Sequence, residues 1–184
     1  RFKGCGFRRQ ILEKLKGSDL YDREKVETEL KKARAEDNKP MIKACTDALK
    51  TFPDQDYFIL HRSDKGGKTR ISPIVGPNKG KIIARMQATG PDELVWRYVS
   101  SNCDVHGYRA DYATYIYKQY ARPIEELRFE NKILCADGKL RSEIYVCRGD
   151  EAGKKLDRRA IGIISIALGH NREDTAISNY VRNL

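Results

Sequence analysis

No stretch of the chain is apolar enough over enough residues to cross a bilayer, and no signal-like leader or polybasic amphipathic helix stands out. A cytoplasmic protein with no membrane partner is therefore expected. Cysteine is sparse and odd in number: Cys5, Cys45, Cys103, Cys135 and Cys147 are scattered, which suits reduced thiols better than a disulfide framework. Cys135 and Cys147 could face each other across a hairpin, but no C-x-x-C pair marks a zinc site, and no metal is expected. The chain also lacks internal repeats, a low-complexity linker and the G-x-x-x-x-G-K-[ST] pattern, so solenoid folds and P-loop nucleotide hydrolysis drop out. Histidine is scarce too, with only three in 184 residues.

What is abundant is positive charge. Thirty-six Lys and Arg oppose twenty-six Asp and Glu, a formal net charge of +10. Such a balance attracts polyanions through counterion release, and nucleic acid is the leading partner. The length suits one domain with a core large enough to need no disulfide or metal staple.

Periodicity gives a mixed helix and strand reading. Ile11, Leu12 and Leu15 predict a short helix over 8–16, ended by Gly17-Ser18-Asp19. Val26, Leu30 and Ala33 predict a second helix within a highly charged stretch, and Pro40 opens a third with Ile42, Cys45 and Leu49. Tyr57 to Leu60, the turn-rich Asp64-Lys65-Gly66-Gly67-Lys68 and Thr69 to Val75 read as strand, turn, strand. Helix-like spacing follows over 77–88, 91–100 and 108–120. Ala136-Asp137-Gly138-Lys139 marks a turn between Ile133-Leu134-Cys135 and an alternating strand over 141–147. Ala160 to Leu168 predicts an apolar helix stopped by Gly169, before a last helix carrying Ile177 and Tyr180.

Two of the three histidines sit in short motifs, His106-Gly107-Tyr108-Arg109 and Leu168-Gly169-His170, with Tyr180 ten residues after the second histidine. With Gly6-Phe7-Arg8-Arg9 and Lys65-Gly66-Gly67-Lys68 before Arg70-Ile71-Ser72-Pro73, this ordered set resembles the catalytic domain of the tyrosine recombinase, or phage integrase, family. The likeness spans nearly the whole chain. It implies an α+β, mainly helical fold with a small antiparallel sheet at one edge, plus an extra β-hairpin insertion. Residues 1–184 would form a single catalytic domain, a fragment lacking upstream helices and a core-binding domain. Within it, 21–56 would be a charged helical segment and 122–159 an insertion.

The resemblance implies Arg8, Lys65, His106, Arg109, His170 and Tyr180 as catalytic residues. Arg9 is the alternative first arginine and Lys68 the alternative lysine. Arg9, Lys68 and Arg70 are expected to contact DNA. The chemistry asks for these residue types: a phosphodiester transition state spreads negative charge over its non-bridging oxygens, and two planar guanidiniums can clamp them. Tyr180 would attack phosphorus to leave a 3′-phosphotyrosine and a free 5′ hydroxyl. Lys65 would protonate the leaving oxygen, His106 would assist proton movement and His170 would hydrogen-bond the phosphate. Bond energy is conserved in the linkage, so no cofactor is called for. The implied function is site-specific recombination at double-stranded DNA attachment sites, to integrate or excise a mobile element, by a homotetramer on DNA that is a monomer in isolation.

Ile11 departs from the family pattern, standing where many members have an acidic residue three positions after the first arginine. That departure motivates a catalytically silent DNA-binding or regulatory relative as the alternative. A metal-dependent nuclease is a third class, but the acidic residues form no compact ligand cluster. Taken singly, each motif residue has a plainer role open to it. Tyr180 reads as a core aromatic, His170 as a helix-end residue, His106 as a cap for a helix starting near Tyr108, and Arg109 as a surface charge.

Overall fold

The computed structural model describes residues 9–64, 67–135 and 137–170. They belong to two compact units, Arg1–Tyr112 and Ala113–Leu184, with the boundary falling inside the helix α5, Val105–Tyr120. The architecture is α+β with small antiparallel sheets, and no described helix is long and apolar enough to cross a membrane.

The first unit is built on a three-stranded antiparallel sheet in the order β1 (Leu20–Asp22), β2 (Tyr57–Asp64), β3 (Lys68–Pro73). Two helices, α2 (Arg23–Ala35) and α3 (Lys39–Thr51), connect β1 to β2, pack on each other and bring α3 against β3. Each starts at a polar cap: the Asp22 carboxylate accepts from the Lys25 N–H at 2.7 Å, and the Asn38 side chain accepts from the Met41 N–H at 3.2 Å. Pro40, in the first turn of α3, costs nothing there because its missing N–H would be unsatisfied anyway. Met41, Ala44, Cys45 and Ala48 form the buried stripe of α3, whereas α2 buries only Val26 and Ala33, leaving its charges to solvent.

A separate apolar cluster gathers Ile11, Leu12 and Leu15 with Ile59, Ile74, Ile82, Met86, Val95 and Trp96. Ile11 is thus a core residue, and the position of the expected acidic brace is filled by packing. Among the described residues the first helix, α1, is Arg9–Leu12, and it ends before the expected position 16.

The expected helix over 91–100 is absent. Lys16 and Leu94 form an antiparallel bridge, the Val95 N–H donates to the Leu15 carbonyl at 2.8 Å, and the Gly17 and Ser18 N–H groups donate to Glu93 and Pro91. These hydrogen bonds to distant chain replace the i to i−4 bonds a helix would need. Gly17 is required at this crossing: a Cβ there would stand 2.3 Å from the Thr89 carbonyl oxygen and 2.6 Å from that of Gly90. The helix expected over 77–88 is present as α4, Lys79–Gln87.

The second unit holds two hairpins, β4 (Lys132–Leu134) with β5 (Leu140–Ser142), and β6 (Ile144–Val146) with β7 (Lys155–Asp157), followed by α6 (Arg158–Leu168). The single alternating strand expected over 141–147 is broken at Glu143. Its buried carboxylate accepts from the Arg128 N–H at 2.8 Å, Asn131 Nδ2 at 2.9 Å and Arg122 Nη1 at 3.0 Å, which holds the chain in a bend between β5 and β6. Cys135 and Cys147 consequently lie on different hairpins, both buried as free thiols, and do not face each other across one.

Candidate functional site

The site has to be built from the residues the structure describes. Arg8, Lys65 and Tyr180 lie outside them, as does the expected last helix with Ile177. His106, Arg109 and His170 lie within, as do Arg9, Lys68 and Arg70.

His106 and Arg109 both belong to α5, which begins at Val105 and not near Tyr108. The capping role falls to Asp104, whose carboxylate accepts from the Gly107 N–H at 2.8 Å. His106 is therefore a first-turn residue, exposed to solvent, and not the cap. Gly107 lets the Asp104 carboxylate sit this close, since a Cβ there would lie 2.2 Å from its Oδ2. Arg109, three residues on, is buried to 1% exposure and ranks among the largest fully buried side chains of the chain. A surface charge is excluded for it.

Arg9 meets the same region from the other side. Its guanidinium donates to the carbonyls of Ser100 at 2.7 Å, Ser101 at 2.9 Å and Cys103 at 3.2 Å, with a longer bond to Val99. Arg9, expected to contact DNA, braces the loop leading into α5. Lys68 is exposed at the start of β3.

Arg70, on β3, is buried, and its Nη1 donates to the Ser72 hydroxyl. Directly opposite Arg70 in the antiparallel register stands His61 on β2, which is fully buried. Tyr112 donates its hydroxyl proton to the Pro73 carbonyl at 2.9 Å, tying its turn of α5 to the end of β3. Arg109 is one helical turn before Tyr112. Burial, together with the charges of Arg70 and Arg109, drives the His61 pKa well below its ordinary 6.5, so the ring is neutral at pH 7. His61 escaped the sequence reading because it lies mid-strand outside any motif. The only signal was its position three residues ahead of the Asp64-Lys65-Gly66-Gly67 turn.

A second feature of the first unit is a cavity of about 410 Å³ where Lys14, Lys16 and Arg62 meet Asp19 and Asp92. The Asp19 carboxylate is buried and accepts from Arg62 Nε and the Lys16 N–H, both at 3.0 Å. Two of its cations are shared with carboxylates, Arg62 with Asp19, and Lys16, whose Nζ is 3.3 Å from Asp92.

His170 belongs to the second unit. Gly169 closes α6 in the left-handed region at φ 71°, and the His170 N–H donates to the Ser165 carbonyl at 2.8 Å. This pair of bonds satisfies the last helical carbonyls and fixes where the half-buried imidazole leaves the helix. At the other end of α6, Asp157 caps the helix by accepting from the Arg159 N–H at 2.9 Å. The same carboxylate takes Arg122 Nε at 2.9 Å and Nη2 at 3.0 Å, a bidentate pair that continues to Glu143. Burial would raise the Asp157 carboxyl, but the Arg122 guanidinium and the backbone donors of Arg122 and Arg159 outweigh it and hold the group below the usual range. Among the described residues, no three His, Cys, Asp or Glu side chains gather as a metal site.

Comparison with known proteins finds no matching family model, no matching curated protein and no matching solved structure.

Proposed function

We propose that the chain breaks and rejoins DNA strands through a phosphotyrosine intermediate, acting as a site-specific recombinase of the tyrosine type. The observation that carries this reading is the burial of Arg109 inside the His106-Gly107-Tyr108-Arg109 motif, at 1% exposure, in the same unit as the buried Arg70 and His61. A fixed guanidinium in a water-poor setting is suited to a charge that develops only in a transition state, because its attraction for that charge is weakly screened.

In this reaction the Tyr180 oxygen bonds to phosphorus as the bond from phosphorus to the 5′ oxygen breaks. The tyrosine proton leaves with assistance from His106, and the 5′ oxygen takes a proton from Lys65. Arg8 and Arg109 carry the growing charge on the non-bridging oxygens, and His170 donates a hydrogen bond to the phosphate. The net charge of +10 favours a double-stranded DNA partner, and attachment sites of a mobile element fit the reaction. Ile11 in the apolar core favours a second reading, a silent DNA-binding relative whose arginine site has lost its acidic brace.

The deciding experiment incubates the chain with a nicked duplex suicide substrate and looks for protein-linked DNA on a denaturing gel. A covalent band lost in Tyr180→Phe and indifferent to chelator supports the recombinase chemistry. Salt-sensitive binding without a band supports the silent relative.

A further inference from the structure

We infer that Arg9 is a positioning residue for His106: it fixes the first turn of α5, and with it the place of that imidazole in the DNA-breaking step, without itself touching the DNA. This inference rests on the proposed function.

The placement is carried by hydrogen bonds. The Arg9 guanidinium donates from Nη1 to the Ser100 carbonyl at 2.7 Å, and from Nη2 to those of Ser101 at 2.9 Å and Cys103 at 3.2 Å. Two of these carbonyls also close the turn into α5, since Ser100 accepts from the Cys103 N–H at 3.0 Å and Cys103 from the Val105 N–H at 2.9 Å. The next residue, Asp104, caps the helix through the Gly107 N–H at 2.8 Å, and its own carbonyl accepts from the Tyr108 N–H at 3.1 Å. His106 stands inside this frame, between the capping residue and the amide it holds. Val105 belongs to the same apolar cluster as Ile11 and Leu12, so α1 and the start of α5 share packing as well as the Arg9 bonds.

A guanidinium carries five N–H donors in a fixed planar fork, so one side chain holds several carbonyls of a turn at set angles. Its charge strengthens each of those bonds relative to a neutral donor. Lysine donates from a single nitrogen, and methionine keeps the apolar stem while donating nothing. The constraint matters for His106 in particular. Further along α5, Arg109 and Tyr112 are held by burial, and Tyr112 also by its bond to Pro73, whereas His106 is exposed at the helix start, where helices fray. Its ring goes where the first turn goes. A group that moves a proton has to stand within hydrogen-bond reach of it, so a displacement of about 1 Å in that turn is enough to cost rate.

The test uses the full chain and the nicked duplex. Single-turnover rates of covalent complex formation are measured for Arg9→Met, His106→Gln and the double variant, with the dissociation constant for the same DNA across a salt series. Arg9→Met is expected to lower the rate roughly 100-fold, no further than His106→Gln lowers it, while the circular dichroism melt and the salt dependence of binding stay near those of the wild type. The double variant is expected to be slower than His106→Gln by no more than about twofold, because a misplaced imidazole and a missing one are the same loss. Arg9→Lys, which keeps the charge and some donors, should recover part of the rate. A wild-type rate in Arg9→Met overturns the inference, and so does a wild-type rate in His106→Gln. Losses that multiply in the double variant overturn it as well, since they make the two residues independent. A salt slope lowered by about 1 overturns it by assigning Arg9 to a phosphate contact. Should Arg9→Met fail to fold, Arg9→Lys carries the cycle: a lowered rate that does not multiply with His106→Gln supports the inference, and a wild-type or multiplying rate overturns it. Any of these overturning results beside a covalent band from the wild type sinks the positioning role alone. No band from the wild type removes the DNA-breaking reading and the positioning role with it.

Discussion

His61 and Arg70 face each other across the antiparallel β2–β3 pair, both buried, with the motif arginine Arg109 acting on the same imidazole. Histidine and arginine in one water-poor patch make the protonation of the histidine a property of the fold. That gives the first of four expected outcomes.

The His61 pKa is lowered in the folded chain, by burial first and then by Arg70 and Arg109, while the unfolded chain keeps the ordinary 6.5. Below that pH the unfolded state binds a proton that the native state refuses, so stability falls as pH falls. The slope attributable to this one group approaches about 1.4 kcal/mol per pH unit until the folded-state pKa is reached. Urea titrations between pH 7.5 and 5 should show the decline, and His61→Gln should flatten it. An unchanged pH profile in the variant would assign the decline to other groups.

Arg109→Lys keeps the charge and loses the planar fork. Covalent complex formation on nicked DNA should fall ~100-fold or more, as for loss of one oriented donor to a transition state, with a much smaller change in DNA affinity. Equal losses in rate and affinity would mean that Arg109 serves binding or folding and not the reaction.

Gly17→Ala places a methyl group against two backbone carbonyls, Thr89 and Gly90, next to the Lys16–Leu94 bridge. Making room for it strains a crossing that is also held by the Gly17–Glu93, Ser18–Pro91 and Val95–Leu15 hydrogen bonds, and a cost of about 2 kcal/mol in the urea-derived stability is expected. Gly80→Ala, a helical site with open space around its Cβ, is the control and should be neutral or stabilising.

The brace of α6 should fail in acid. Asp157 and Glu143 both titrate below the usual carboxylate range in the folded chain. Asp157 does so despite its burial, because of Arg122, and Glu143 because of the Arg128 N–H, Asn131 and then Arg122. Depressed carboxylates contribute stability above their unfolded pKa, near 4, and lose it as pH falls through the folded value. Hydrogen exchange in α6 should accelerate below about pH 4. Asp157→Asn removes the bidentate partner of Arg122 and should cost about 3 kcal/mol at pH 7, a loss absent if the pair were only a surface contact.

Much of the local structure was legible in the residues. Gly169 as the stop of α6 and Pro40 in the first turn of α3 were read from turn and cap chemistry that acts within a few residues. The β2–β3 hairpin and the existence of α2, α3 and α4 followed in the same way. The helix expected over 91–100 failed because its backbone hydrogen bonds go to residues 15–18, nearly eighty positions away, and apolar spacing carries no record of such pairing. The strand over 141–147 broke for a similar reason, since the carboxylate that bends it is held by donors from Arg122, Arg128 and Asn131.

By itself, the sequence determined the chemistry on offer: a strongly basic chain, two short histidine motifs, a motif arginine and a terminal tyrosine at a suggestive spacing. Only the tertiary structure decided where those groups stand in relation to water. It placed Ile11 in the apolar core, turned Arg9 inward to brace the loop before α5, left His106 exposed and buried Arg109 with His61 and Arg70. The physical reason is that charge and hydrogen-bonding capacity belong to each residue, whereas burial and the field of neighbouring charges arise only when β2, β3 and α5 are brought together.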